Sequence, residues 1–183
     1  MAQSGSALGW GPSGRRFKSC LPDIAQIPQS AGILLFRLVE GRPEVLLVHP
    51  GGPFWAKKDL GGWSIPKGVC EEGEELRECA LREFVEELGA APTLNVDSLI
   101  ELGSVRQKGG KVVHAWAAEG EFDPAELRSN TFAMEWPPRS GAEREFPEVD
   151  RAEWFAPEEA RQKILAAQAE FVDRLLDRLS GSR

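Results

Sequence analysis

Three glutamates, Glu83, Glu86 and Glu87, stand at i, i+3 and i+4 in a stretch that reads as one helix, GVCEEGEELRECALREFVEELGA from Gly68 to Ala90. At that spacing their carboxylates share one part of the helix surface. Like charges so placed destabilise a bare helix. Either they form an ordinary solvated face, partly neutralised by Arg82, or they bind divalent cations. A hard ion such as Mg²⁺ takes oxygen ligands and keeps waters and substrate phosphates in its remaining positions. The helix is expected to start near Glu74, where acidic residues in the first turn favour the dipole. Gly89 is a natural stop and Pro92 forbids much continuation. Leu76, Ala80, Phe84 and Leu88 recur every four residues, with Leu81 and Val85 beside them, and form an apolar face for the core.

The rest of the chain must position this helix. Its 183 residues, 42% hydrophobic, suit one globular domain. A net charge of -7 argues against nonspecific binding of nucleic acid or of an anionic membrane. An anionic substrate therefore requires metal ions or a local basic patch. No apolar run is long enough to span a membrane. Cys20, Cys70 and Cys79 lack metal-ligand spacing, so reduced thiols in a cytoplasmic protein are expected.

Met1 to Ser30 is rich in Gly, Ser and Pro and reads as a disordered tail, with the domain covering residues 31–180. Arg16-Phe17-Lys18-Ser19 can be encoded AGG-TTC-AAG-TCC, which resembles the T-arm of a tRNA gene. On that reading the true start lies downstream, near Ile24 or Ile27. Ala31 to Leu38 and Glu44 to His49 read as two buried strands joined by a tight turn, hence a hairpin. A long Gly-rich loop follows, Pro50 to Gly62, and long loops in compact domains are often functional. On it Lys57 and Lys58 either reach anionic phosphates or are solvated surface lysines. Phe54 and Trp55 need somewhere to pack, on the body or on a ligand base. Trp63 to Gly68 (WSIPKG) reads as a short strand entering a tight turn, which puts Lys67, a candidate substrate-binding residue, at the mouth of the helix.

The wider register separates the two readings of the helix. Gly68, Glu74, Arg82-Glu83, Phe84, Glu86-Glu87, Gly89 and Ala90 reproduce the Nudix box. Seven fixed identities match by chance less than roughly once in ten million start positions. The chain therefore resembles the Nudix hydrolases, most strongly from Gly62 to Gly89. The resemblance implies an α/β/α sandwich with a mixed sheet and a loop–helix–loop motif, and hydrolysis of a nucleoside diphosphate linked to another moiety with Mg²⁺ or Mn²⁺. By motif position it implies Glu83, Glu86 and Glu87 as metal ligands, with the Gly68 carbonyl a further one, and Arg82 and Glu74 as the pair orienting the acidic cluster.

Downstream, Leu99 to Arg106 and Lys111 to Ala118 read as strands joined at Gly109-Gly110. Trp116 is a candidate base-stacking residue or a core residue; His114 reads as a hydrogen-bonded strand residue. Glu121 to Arg151 has no clear period and is expected to be a long loop with at most a helical turn at Pro124 to Arg128. Glu153 to Phe155 reads as a closing strand and Pro157 to Leu179 as one long helix. Nudix enzymes often draw a further acid from outside the box. Glu148, six residues before Trp154, resembles a Glu of the diadenosine tetraphosphate hydrolase branch, and Glu145 is second. The AGILLFR and WSIPKG segments resemble the same branch and the bacterial predicted NTP pyrophosphohydrolases near it. The chain departs from that branch in having no Tyr; Ala115 stands beside Trp116 where Tyr-Trp is usual. The expected substrate is an NTP or a dinucleoside polyphosphate. A house-cleaning pyrophosphatase of modified NTPs and a Nudix-fold regulatory module stay open, as does a monomer or homodimer.

Overall fold

The computed structural model describes residues 29–89, 94 and 96–181. Most of the expected N-terminal tail lies outside the described residues. Its last two residues, Gln29 and Ser30, belong to the first strand.

A mixed sheet organises the fold. β1 (Gln29–Val39) turns through Glu40-Gly41 into β2 (Arg42–Pro50), and the two pair antiparallel as the short connection requires. β4 (Ile100–Arg106) and β5 (Val112–Glu119) form the second expected hairpin, and β5 lies parallel to β1. β8 (Val149–Phe155) pairs antiparallel with β2 and closes the order β4-β5-β1-β2-β8. β3 (Lys67–Val69) is short and pairs with the start of β1. The strand expected over Trp63 to Gly68 thus begins later. Before it, Trp63 and Ser64 make isolated bridges to Ile164 and Val48.

β1 is apolar on both faces because both are covered. Ala31, Ile33 and Leu35 face α1 (Leu76–Leu88) and pack with Cys79, Ala80, Phe84 and Leu88. Leu34 and Phe36 face the other way, toward the C-terminal helices, and pack with Ile164, Phe171, Val172 and Leu175. Alternation along a strand and the four-residue recurrence along α1 together account for both layers.

Three expectations are corrected. The C-terminal helix is divided: α2 (Pro157–Lys163), a 3₁₀ turn at Ala166–Gln168, and α3 (Ala169–Gly181). The break follows from the backbone at Trp63, which donates to Lys163 O (3.0 Å) and accepts from Leu165 N (2.8 Å). Those bonds replace helical ones at the point where the chain crosses the sheet end. The expected 121–151 loop contains a hairpin, β6 (Thr131–Glu135) and β7 (Glu143–Pro147), detached from the main sheet. Its alternating Phe132, Met134 and Trp136 carry the strand period, and the helical turn lies at Pro124–Glu126. Finally, Cys70 and Cys79 are joined as a disulfide with Cα atoms 5.4 Å apart, not held as two thiols. Folding brings the β3–α1 loop back over the helix, a proximity that sequence spacing does not encode.

No helix among the described residues is long and apolar enough to cross a membrane. Phe171 is fully buried between α3 and the sheet. Phe171→Ala is expected to lower the unfolding free energy by about 3–5 kcal/mol, measured by urea denaturation; a loss under about 1 kcal/mol would mean that α3 does not close this layer.

Candidate active site

The site forms where β3 meets α1. Glu75 caps the helix, its side chain accepting from Glu78 N at 3.2 Å, and Gly89 ends it at φ 72°, where a side chain is strained. β3 pairs with β1 in the register Gly68–Ala31, which sets Gly68 under the helix. A methyl group at Gly68 would overlap the Glu83 carboxylate. Only glycine lets this backbone and carboxylate come so close.

Arg82 ties the acidic residues together. Its Nε and Nη2 donate to the two Glu74 oxygens at 2.8 Å each, a bidentate pair, while Nη1 donates to Glu83 at 2.9 Å and Glu86 at 3.2 Å. Those hydrogen bonds hold the Glu74 carboxyl down to about 2. Glu87 faces inward and accepts from the Lys67 backbone N–H at 3.0 Å. Burial pushes its carboxyl up to about 7 against the pull of Lys67, and the charges of Glu83 and Glu148 add to the rise. Glu83 is raised too, first by burial and then by Glu86 and Glu148, although Arg82 opposes.

Glu148 arrives from the β7–β8 connection. With Val48, Pro50, Ser64, Lys67 and Glu87 it lines a small cavity of about 50 Å³. Glu145 lies exposed on β7, away from that lining. Lys57 and Lys58 are exposed on the 50–62 loop, outside the cavity, with Lys58 Nζ 4.7 Å over the Trp55 ring. Phe54 is 67% exposed. Trp116 is partly buried against the α1-side layer, and His114 lies level with Gly68 across Ala31. The structure thus brings together Gly68, Lys67, Arg82, Glu83, Glu86, Glu87 and Glu148, whereas Lys57, Lys58 and Phe54 stand exposed on the 50–62 loop and Trp116 packs in the α1-side layer.

Two residues escaped the sequence reading. Lys111, the residue before β5, has its pKa lowered by burial and by the charge of Lys67, while Glu83 and Glu87 act in the opposite direction. It therefore lies within electrostatic reach of the box carboxylates. Nothing in its local sequence marks it; only the β1–β5 pairing brings it near. His49 is fully buried and bridges Asp150 (Nδ1···Oδ1 2.7 Å) and the Lys58 carbonyl (Nε2···O 2.8 Å). It pins the far part of the 50–62 loop to β8, and a histidine ending an apolar strand is the one signal that marks it.

The donor set fits a hard divalent cation. It offers carboxylate oxygens, two of them on groups whose pKa is raised first by burial, beside a backbone carbonyl. Among the described residues, the tight cluster of Cys70, Glu74 and Cys79 does not fit, since its sulfurs are bonded to each other and Glu74 is held by Arg82.

A carboxyl raised on folding binds more protons folded than unfolded. Between the ordinary value of 4.5 and about 7, stability then falls as pH rises. Without metal, Glu87→Gln is expected to be about 2–3 kcal/mol more stable than the parent at pH 8 and under about 1 kcal/mol at pH 5. Thermal and urea unfolding at both pH values measure this, and an equal difference at both would show a carboxyl that ionises as in water.

The NUDIX domain family model matches residues 27–175. Among the solved structures that share the fold are the following three. An Ap4A hydrolase of C. elegans, in a binary complex, is 24% identical with a TM-score of 0.59, over 85% of this chain and 99% of that one. The NUDIX domain of Shewanella oneidensis NrtR, complexed with ADP ribose, is 20% identical with a TM-score of 0.55, over 83% and 88%. A MutT protein from Methanosarcina mazei Go1 is 21% identical with a TM-score of 0.53, over 84% and 94%. With the box carboxylates folded around Gly68 and the family model spanning most of the chain, this protein belongs to the Nudix hydrolase family.

Proposed function

We propose that this chain hydrolyses a pyrophosphate bond in a nucleoside diphosphate-linked compound, an NTP or a dinucleoside polyphosphate, with Mg²⁺ or Mn²⁺, as a cytoplasmic monomer or homodimer. One observation carries the reading: Glu148, far from the box in sequence, shares a cavity with Glu87 and Lys67, and its charge helps to raise Glu87 to about 7. Carboxylates crowded without compensation in a family of hydrolases are what a cation and a polyphosphate would satisfy.

Glu83, Glu86, Glu87 and the Gly68 carbonyl are the residues to hold the cation. When bound, it supplies a lowered pKa for a water and neutralises charge on the polyphosphate. The chain does the rest. Glu148 accepts a proton as water attacks phosphorus; a new O–P bond forms, the bridging P–O bond breaks, and its electron pair leaves with the departing phosphate. Lys67 meets a phosphate oxygen at the cavity, while Lys57 and Lys58 serve phosphates farther along. Arg82 keeps Glu74 and Glu83 oriented by the hydrogen bonds described above. The exposed part of Trp116 and Phe54 are the candidate base contacts.

Purified protein with Mg²⁺ is expected to hydrolyse members of a nucleotide panel, and Glu86→Gln or Glu87→Gln to lower kcat by about 10²–10³-fold through lost transition-state charge stabilisation. Chromatography of the products separates the substrates: pyrophosphate marks an NTP pyrophosphatase, and ATP plus AMP or two ADP mark a dinucleoside polyphosphatase. No hydrolysis with metal and no effect of either substitution would sink the enzyme reading. Replacing Lys57 and Lys58 together by Ala is expected to raise KM several-fold for the longer polyphosphates, an ionic contribution of about 1 kcal/mol; an unchanged KM would return both to the solvated surface.

A further inference from the structure

Cys70 and Cys79 close a covalent ring at the N-terminal part of the box. Cys70 follows β3 directly and Cys79 lies in the first turns of α1, with Cα atoms 5.4 Å apart. The segment between them carries Glu74, the partner of Arg82, and Glu75, which caps the helix. Two of its hydrogen bonds are internal: Glu71 N donates to Glu74 Oε2 at 2.9 Å, and Glu74 N donates to Glu71 O at 3.1 Å. Its tie to the helix is Arg82, whose Nη2 donates to Glu74 at 2.8 Å and to Val69 O at 3.3 Å and stands 3.9 Å from Cys79 Sγ. The ring is therefore wrapped against the guanidinium that also holds Glu83 and Glu86.

The fold does not need this link as a staple. Structural disulfides serve small secreted domains that cannot build a sufficient core, whereas here apolar layers pack on both faces of the sheet. In a reducing compartment a disulfide is transient. The two sulfurs are also unequal: Cys79 is fully buried, and Cys70 is partly exposed. Thiol exchange depends on access and on which sulfur is attacked, so Cys70 is the sulfur open to an external thiol.

We propose that the Cys70–Cys79 disulfide is a reversible redox link, opened by a dithiol, that fixes the Glu74 segment and, through Arg82, the carboxylates of the site. A thiolate of the dithiol attacks Cys70 Sγ and forms a mixed disulfide. The Cys70–Cys79 bond breaks, and its electron pair leaves on Cys79 Sγ, beside the Arg82 guanidinium. The second thiol of the reductant attacks its own sulfur in the mixed disulfide, and Cys70 departs. Both protein sulfurs take up a proton, so the protein gains two electrons and two protons while the dithiol becomes a disulfide. Opened, the segment over 71–75 is held to α1 by hydrogen bonds alone. Arg82 then loses its fixed partner, and Glu83 and Glu86 lose a fixed common donor. The effect on the cation rests on the proposed reading of those carboxylates as its ligands; the link itself does not.

Full-length protein carrying Cys20→Ser, which leaves this pair as its only cysteines, is prepared oxidised and after treatment with dithiothreitol. Iodoacetamide labelling with mass spectrometry is expected to find no thiol in the oxidised protein and both thiols after treatment. Glutathione, a monothiol, is expected to be trapped on Cys70. Exchange of the Glu71 and Glu74 amides, followed by NMR, is expected to be about ten-fold faster in the reduced protein. Mn²⁺ affinity, read by electron paramagnetic resonance, is expected to be about five-fold weaker in the reduced protein, and by linkage Mn²⁺ then opposes reduction by the same factor. Cys70→Ser with Cys79→Ala in the same background is expected to match the reduced protein and to ignore dithiothreitol; if that variant does not fold, reduction of the unaltered pair supplies the same comparison. Two thiols after air oxidation overturn the proposal. So do glutathione on Cys79 alone, equal amide exchange in the two states, or equal Mn²⁺ affinity in the two states. Absence of Mn²⁺ binding in both states would instead strike the cation reading of the carboxylates, and the amide comparison would still decide the link.

Discussion

Negative charge is concentrated on the C-terminal half of α1, and one guanidinium sets its arrangement. Arg82 reaches across the helix to Glu74 with two parallel hydrogen bonds and uses its remaining nitrogen on Glu83 and Glu86. That pairing compensates Glu74 fully, Glu83 in part, and Glu87 not at all. Glu87 relies instead on a backbone N–H from Lys67 and on burial, which favours its protonated form. The site therefore carries unequal carboxylates, Glu74 held low by Arg82, and Glu83 and Glu87 raised first by burial. Replacing Arg82 by Lys would keep the charge and lose the fork that divides it among three partners.

The sheet makes that inequality useful. β1 is the hub: β2 and β3 share one of its edges, β5 takes the other, and α1 lies across its face. Pairing at Gly68–Ala31 slides β3 under Glu83, and the absent side chain at Gly68 leaves room for the carboxylate. Pairing of β2 with β8 brings the residue before β8, Glu148, to the end of β2 where Pro50 and Lys67 meet it. Short-range geometry thus groups the box carboxylates, and long-range pairing brings Glu148 into the cavity that Glu87 lines. The Cys70–Cys79 link ties the loop between β3 and α1 to the same helix, close to the Glu74–Arg82 pair.

Charge outside the box completes the site. A protein of net charge -7 repels polyphosphates on average. The cations near the carboxylates are therefore the informative ones. Lys111, the residue before β5, lies near enough to Lys67 that the charge of Lys67 lowers its pKa after burial does, while Glu83 and Glu87 act the other way. Lys57 and Lys58 ride on a loop whose two ends are secured by Glu148 and His49. Anchoring a glycine-rich loop at both ends limits the entropy lost when it orders around a ligand.

The sequence alone determined the helix, its C-terminal stop, the apolar face of Ala80, Phe84 and Leu88, and the shared face of Glu83, Glu86 and Glu87, because each of those depends on residues a turn apart, while Val85, expected beside that face, is exposed. It also determined the two hairpins of the main sheet, whose short connections leave little choice of partner. Tertiary structure decided the rest. The division of the C-terminal helix depends on the Trp63 backbone, about a hundred residues away along the chain. The Cys70–Cys79 bond, the approach of Lys111 and the meeting of Phe54 with Trp136 each need a loop folded back or a strand paired across the sheet. Glu148 was legible as a candidate by its spacing to Trp154, yet its neighbours Glu143 and Glu145 carry the same chemistry in the same segment. What distinguishes it is that the hairpin ends one residue before it and β8 begins one residue after it, so that its position, and not its composition, puts it beside Glu87.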